Sequence, residues 1–449
     1  MMRSLFSAVS GLKAHQTKMD VIGNNIANVN TVAFKSQSVT FSDVYYQTTQ
    51  TASGPSSDGS KGGTNAKQIG LGSTVASIST AITSQGATER TDNTWDVCLS
   101  GNSFFIINNA GSTYFTRAGD FKIDTNGALV TSGGCNVMGW YADPDTGLIV
   151  KDKVQALYPQ SSKYTFTEPE ATKSVTITGN IDAAATGDAT TTVSFYDSLG
   201  NRYQASLTLT PDKTTPSKYT VKCGAITKNG QKTNLTAETI TGDITFNANT
   251  GKIDVGTGNT GTFTLGGFKA DKAKVPDGGV DCSADVANIT NPITVDFSSL
   301  TRFNETTNIK DSMGIKNAST GGVDGAGKAV GTMTSVGVDD KGCIVANYSN
   351  GDVKTIAQIA VATFSNPAGL EKVGENMYAA TLNSGEFNGI GEEVAASGGK
   401  MSSGYLEMSN VDLSDQFTTM ITTQRGFQAN SRIITVSDTM LEELINLKR

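Results

Sequence analysis

Few residues in this chain are equipped for chemistry. Its single histidine, His15, sits in a segment with helical spacing and has no cysteine or acidic cluster at ligand distance in the sequence. A solvent-facing or interfacial position is expected for it, not a metal or proton-transfer role. The five cysteines (Cys98, Cys135, Cys223, Cys282 and Cys343) are an odd number, scattered without a CxxC pair. That scatter argues against both a zinc site and a disulfide framework. Buried free thiols are expected, with a Cys223–Cys282 pair left open. Asp339–Asp340 and Glu392–Glu393 are adjacent in sequence, the habit of solvated turns; the two carboxylates of an acid–base dyad usually come from different elements. No HExxH, GxSxG, GxxxxGK[ST] or strand-borne GxGxxG pattern occurs. With no visible nucleophile, base, metal ligand set or cofactor cradle, the expectation is no enzyme, no cofactor and no metal.

Periodic apolar positions carry the information instead, and they lie at the two ends of the chain. Residues 2–29 place Leu5, Val9, Leu12, Met19 and Ile26 at steps of three and four. Residues 411–447 repeat the device with Leu413, Phe417, Met420, Phe427, Ile434, Leu441 and Ile445. Polar Gln16, Gln424, Ser431 and Asp438 fill skipped positions, and neither stretch contains proline. Such spacing predicts two helices with coiled-coil seams. The first, ~42 Å long at the standard rise, is too long for a small domain to cover. A further apolar flank (Ile22, Ile421, Ile433, Met440, Leu444) suits packing among many copies. The alternative is that the helices pack on each other or on their own β-core. The expectation chosen is that the tails lack partners, and stay largely disordered, until sister subunits supply them.

Between the tails the period changes to two. Gly23-Asn24-Asn25-Ile26-Ala27-Asn28 should end the first helix. Residues 31–73 are polar and Gly-rich and read as a linker, with 50–68 flexible. Phe104–Ile107 reads as a buried strand, and Asn126–Gly127, Asn229–Gly230 and Asn350–Gly351 read as tight hairpin turns with positive φ at both central residues. Short Thr/Val/Ile strands fill 168–300 and suggest an inserted sandwich or barrel. The expected fold is mainly β with α-helical termini. Residues 1–30 and 409–449 would form the helical assembly domain, 74–167 and 301–408 a flanking β-domain built from both halves, and 168–300 an outer β-domain. A length of 449 residues accommodates this number of units. The net charge of −7 offers no basic field, so no nucleic-acid partner is expected. No apolar run reaches the ~20 residues needed for membrane insertion. Met1-Met2-Arg3-Ser4-Leu5-Phe6 lacks the apolar core and cleavage site of a secretory signal.

The ends also carry recognisable words. Ser10-Gly11-Leu12, then Asp20-Val21-Ile22-Gly23-Asn24-Asn25-Ile26-Ala27-Asn28-Val29-Asn30-Thr31-Val32-Ala33-Phe34-Lys35, resembles the N-terminal signature of the bacterial flagellar rod and hook protein family. Ser409 to Phe417, then Gln424-Arg425-Gly426-Phe427-Gln428-Ala429-Asn430-Ser431-Arg432 and Leu447-Lys448-Arg449, resembles its C-terminal end. Signature positions are thus Asn24, Asn25, Asn28, Asn30, Phe34, Gln424, Arg425, Gly426 and Asn430. Val295–Phe303, Gly331–Val336 and Phe364–Leu370 resemble the flanks of the inserted domain in the hook branch, and shorter distal rod members lack that domain. The resemblance implies a flagellar hook subunit, a helical homopolymer whose helices line a channel as a coiled-coil layer. The tube would act as a universal joint, transmitting motor torque to the filament for motility. Implied partners are further copies of itself, the distal rod protein, the hook cap protein, the hook–filament junction protein and the flagellar type III export apparatus. Export without a cleaved signal to the extracellular hook beyond the basal body is implied as well. Two departures stand out. Ala33 occupies a position where many relatives carry Gly, leaving a positive-φ turn there open. Spirochaete hooks cross-link through a Cys before an Asn, but Gly179 precedes Asn180 here, so that link is not expected. Rival readings are a rod or junction component, a β-rich surface adhesin, and last an enzyme.

Overall fold

The computed structural model describes residues 2–55, 62–144, 146–239, 243–254, 261–271, 274–276, 279–289, 292–316 and 323–447. Gly321–Gly322, residues 56–60 of the Gly/Ser run, and Lys448–Arg449 lie outside them. Two compact units emerge: residues 1–162, 335–346 and 354–449 form the first, and 163–334 with 347–353 the second.

The first unit begins and ends in helices. Helix α1 spans Met2–Ala27 and α2 spans Leu413–Asn446. The Asn cluster closes α1 as its chemistry dictates. Asn28 Nδ2 donates to the Asn24 carbonyl at 2.9 Å, and Thr31 Oγ1 donates to Asn28 Oδ1 at 3.0 Å. Asp412 caps α2 by accepting the amides of Ser414 and Asp415 at 2.8 and 3.3 Å. After α1 the chain turns through Ala33, buried at φ +56°. The left-handed turn therefore forms without glycine, fixed by the Ala33 amide donating to the Glu407 carbonyl at 2.7 Å.

Residues 31–73 differ from the expected linker. Strands β1 (Gln37–Asp43), β2 (Tyr46–Gln50), β3 (Lys67–Gly70) and β4 (Ser73–Thr80) form a long antiparallel hairpin, β1 on β4 and β2 on β3. Ser38–Ser79 and Thr40–Ser77 hydroxyl pairs bridge it at 2.9 and 2.8 Å. The alternation from Thr74 to Ile82 marks β4 in the sequence, whereas β2 and β3 are exposed throughout and carry no apolar face.

The β-body of this unit contains β5 (Thr88–Arg90), β6 (Val97–Ser100), β7 (Phe104–Asn109) and β8 (Ser112–Thr116), joined by strands from the later half of the chain. Phe104–Ile107 is fully buried, as its unbroken apolar run predicts. Tyr405–Glu407 pairs with β5 and Lys400–Ser403 with β6, which brings the start of α2 back beside the N-terminal segment. All five cysteines are free. Of the three Asn-Gly pairs expected to form hairpin turns, only Asn229–Gly230 has positive φ at both residues. At Asn126–Gly127 only the glycine does, because Asp124 Oδ1 holds the amides of Asn126 and Ala128 and builds a longer turn. The same asymmetry holds at Asn350–Gly351, where Asn350 Oδ1 instead accepts the Asp352 amide.

The second unit is a sandwich of two five-stranded sheets around one core that includes Val193, Phe195, Tyr203, Leu207, Phe268, Val295 and Phe297. Its extent corrects the expected 168–300. Ile293–Phe303 runs parallel to Ser174–Asp182 as far as Phe303, and Asn308–Met313 pairs with the other edge of Ser174–Asp182. The sheet ladder therefore carries the unit past residue 300, where composition alone suggested an edge. Gly179 stands at φ +129° with its α-carbon against the Asn308 carbonyl, leaving no room for any side chain.

Candidate assembly interface

Helices α1 and α2 lie antiparallel. Gly11 faces Asn430, His15 faces Gly426, and Asn25 Nδ2 donates to Gln416 Oε1 at 3.0 Å, a constant register along the pair. At these crossing points the seam is lined by glycine and polar side chains. The buried residues of the two helices are Ala8, Gly11, Ala14, Ile22 and Asn25 on α1 and Thr423 and Ser437 on α2, with Ala14 bordering Ser73, Thr74 and Val75 of β4. Small residues let the two backbones approach closely, the logic of glycine at helix crossings. A Cβ on Gly426 would lie 2.6 Å from His15 Cε1, and one on Gly11 would lie 2.7 Å from Asn430 Nδ2. The expectation that the tails find no partner inside their own chain is thereby corrected: each covers the other's small-residue face, and α1 also packs on β1 and β4.

The predicted stripe is only partly covered within the chain. Val9, Leu413, Phe417 and Ile445 are exposed, and Leu5, Leu12, Met19, Ile26, Met420, Phe427, Ile434 and Leu441 are half-buried. In the second apolar flank Ile22 is buried, but Ile421, 58% exposed, and Ile433, Met440 and Leu444 are open. Phe6 (67%), Phe417 (51%) and Val436 are exposed beside them. An antiparallel pair closed by small residues therefore carries uncovered large apolar side chains along its length. Exposed apolar side chains grouped on one element in this way mark an association surface. Among the described residues no helix is long and apolar enough to cross a membrane, and no group of three His, Cys, Asp or Glu is placed to hold a metal.

His15 occupies the seam itself. Its ring meets Phe41 of β1 edge-on at 5.5 Å, and its Nδ1 is buried without a partner. Burial, helped by nearby Lys18, pushes its pKa below the ordinary 6.5.

The signature residues fall into two groups. Asn25 is buried and clamps Gln37 through both backbone groups, donating to its carbonyl at 2.8 Å and accepting its amide at 2.9 Å. Phe34 is buried beneath Lys372, whose Nζ lies 5.0 Å from the ring centroid. Asn24 and Asn28 close α1, and Gly426 and Asn430 line the seam. Gln424, Arg425 and Asn30 are exposed, and Arg425 Nη1 donates to Gln428 Oε1 within α2 at 3.4 Å.

Sequence reasoning missed the neck beneath the helix pair. Lys35 Nζ lies 2.7 Å from Glu407 Oε1, and Arg117 Nε 3.2 Å from Glu407 Oε2, with all three side chains buried. Lys35 also donates to the Ser84 carbonyl at 2.6 Å. Arg117 donates to the carbonyls of Gly101 and Ser103 at 2.5 and 2.7 Å. The Gly86 amide donates to Glu407 Oε1 at 3.0 Å. Asn410 completes the neck, accepting the Ser36 amide at 2.7 Å and donating to the Ala81 and Ser84 carbonyls. Lys35 was visible only as the last letter of the N-terminal motif, and Glu407 and Arg117 have no local signal at all.

Four family models match the chain. They are "Flagella basal body rod protein" over residues 5–35, "Flagellar hook protein FlgE/F/G D1 domain" over 98–182, "Flagellar basal body protein FlaE D2 domain" over 163–322, and "Flagellar basal body rod FlgEFG protein C-terminal" over 402–447. The chain is 38% identical to the flagellar hook protein FlgE of Borreliella burgdorferi over 467 aligned residues, covering all of both chains. It is 37% identical to that of Treponema pallidum, again over the full length of both. A Bacillus subtilis relative named flagellar basal-body rod protein FlgG is 30% identical and is also covered end to end, so length by itself does not separate hook from rod. With matched models at both helical ends and in both β-units, and hook proteins matched from the first residue to the last, the chain belongs to the flagellar hook protein FlgE family.

Proposed function

We propose that the protein is the structural subunit of a bacterial flagellar hook, polymerising through its helix pair into a tube that acts as a flexible torque-transmitting joint. The observation that carries this reading is the uncovered apolar face of α1 and α2 around a seam that is already closed. Within one chain those side chains stay in water, and neighbouring copies of the same pair would cover them. Contacts of that kind are heterologous and extend into an open helix instead of closing a ring. The proposed assembly residues are Leu5, Val9, Leu12, Met19, Ile26, Leu413, Phe417, Met420, Phe427, Ile434, Leu441 and Ile445, joined by Phe6 and Ile421. Family membership makes the protein a structural hook component, and a non-enzymatic role is part of the proposal. So are its partners: the distal rod protein at the base, the hook cap during growth, the junction protein at the far end, and the type III export apparatus on the way out.

The hook reading ranks above the rod reading because the hook-named relatives are the more similar. The test is seeded polymerisation of purified chain, followed by electron microscopy. Removing the exposed half of Phe417, roughly 100 Å² at about 25 cal/mol per Å², forfeits about 2.5 kcal/mol of burial in the polymer. Phe417→Asp should therefore raise the critical concentration on the order of 50-fold or more, with little change in the melting of the β-units. Ordinary tubes from that variant, or from a chain lacking residues 412–449, would overturn the proposal.

A further inference from the structure

The buried triad at the neck stands apart from the apolar assembly face and has an unusual charge balance. Two cations, Lys35 and Arg117, share one carboxylate, Glu407, with no solvent access. Burying such groups costs desolvation that a well-packed apolar trio would avoid, so a buried ion cluster is weak evidence for stability. Burial holds the Lys35 amine below its ordinary pKa, with Glu407 pulling it back up. What charge-assisted hydrogen bonds supply and apolar contacts do not is direction.

The connectivity shows what is being directed. Arg117 is anchored to the β-body through three carbonyls, those of Leu99, Gly101 and Ser103. Glu407 lies six residues before the first residue of α2, and Lys35 eight residues after the last of α1. One carboxylate thus ties the segment leaving α1 and the segment entering α2 to a single fixed point. The Ala33 amide on the Glu407 carbonyl locks the same crossing through the backbone.

We propose that Lys35, Glu407 and Arg117 are positioning residues that set the angle at which the α1–α2 pair leaves its β-body, and so the twist of the polymer built from it. This rests on the reading of the helix pair as the polymerising surface. Lys35→Met is the informative variant. It leaves Glu407 and Arg117 as a balanced pair, so the melting temperature should hold or rise. The tie between the α1 exit and the carboxylate is lost, so seeded assembly should need at least ~10-fold more protein or give tubes of altered helical twist. Arg117→Lys keeps the charge count but cannot grip the three carbonyls and the carboxylate together, and it decides the matter if the first variant does not fold. Phe417→Asp serves as the control. Tubes of unchanged twist and critical concentration from a folded Lys35→Met chain, or from Arg117→Lys, would overturn the proposal while the control still fails to assemble. An assembling control would instead remove the reading on which it rests.

Discussion

Gly426 lies inside α2, where glycine is the wrong residue by propensity. Replacing a helical glycine by alanine normally gains about 1 kcal/mol, because the free chain loses backbone freedom and the helix gains a good former. In this structure the added Cβ would sit 2.6 Å from Cε1 and 2.8 Å from Nε2 of His15. That ring cannot simply swing away, since the edge of Phe41 holds it from β1. Overpacking of a close contact costs about 1–3 kcal/mol, so the sum for Gly426→Ala is a loss of roughly 0–2 kcal/mol. Gly23 provides an internal control. It is also helical, in α1, and a Cβ there meets nothing within 4 Å. Gly23→Ala should therefore keep the full gain of about 1 kcal/mol. The same change at two helical glycines should differ by about 1–3 kcal/mol, roughly 5- to 150-fold in the local opening constant. Amide hydrogen exchange read along α1 and α2 measures it directly, since helix opening need not follow global unfolding. Equal gains at both positions would refute the close-packed seam.

Two further outcomes follow from the same geometry. The folded chain depresses the pKa of His15 below 6.5, so the unfolded or opened form binds the proton more tightly. The helix pair should be fully stable above about pH 6.5 and lose protection as pH falls from there towards the lowered folded value. Protection factors of seam amides, normalised to the intrinsic exchange rate at each pH, should therefore be lower at pH 5.5 than at pH 7.5 in the native chain and equal in His15→Asn; an acid response that survives the substitution would clear His15. At Ala33, glycine relieves left-handed strain of about 1–2 kcal/mol but gives back backbone freedom and a buried methyl group. Ala33→Gly should stay within about 1 kcal/mol of the native protein. Ala33→Val should cost more than about 2 kcal/mol, because a β-branched residue at that φ is a true outlier. Denaturant titration of the first unit compares them, and a harmless valine would mean that the turn relaxes.

The tertiary structure qualifies the sequence reading in instructive places. Helix limits were legible to within a few residues because capping is local: Asn28 and Asp412 act on amides and carbonyls two to four positions away. Of the exposed β1–β4 hairpin only β4 was legible, from its alternation over residues 74–82. Its Ser and Thr ladders satisfy each other across the strands instead of burying an apolar face. The outer sandwich was legible as a class but not in extent, because a parallel ladder between residues 174–182 and 293–303 leaves no mark at residue 300.

By itself the sequence determined the two amphipathic ends, the β-rich middle and the large apolar side chains with no visible core to enter. Those are properties of spacing and residue type, set within a few turns or strands. Only the tertiary structure decided which face of each helix meets the other. Close approach is governed by glycines, Gly11 and Gly426, and their absent side chains give no periodic signal. It alone also brought Lys35, Arg117 and Glu407 to one buried point. Contact between residues 35 and 407 is a matter of chain return, and no local rule writes it into either segment.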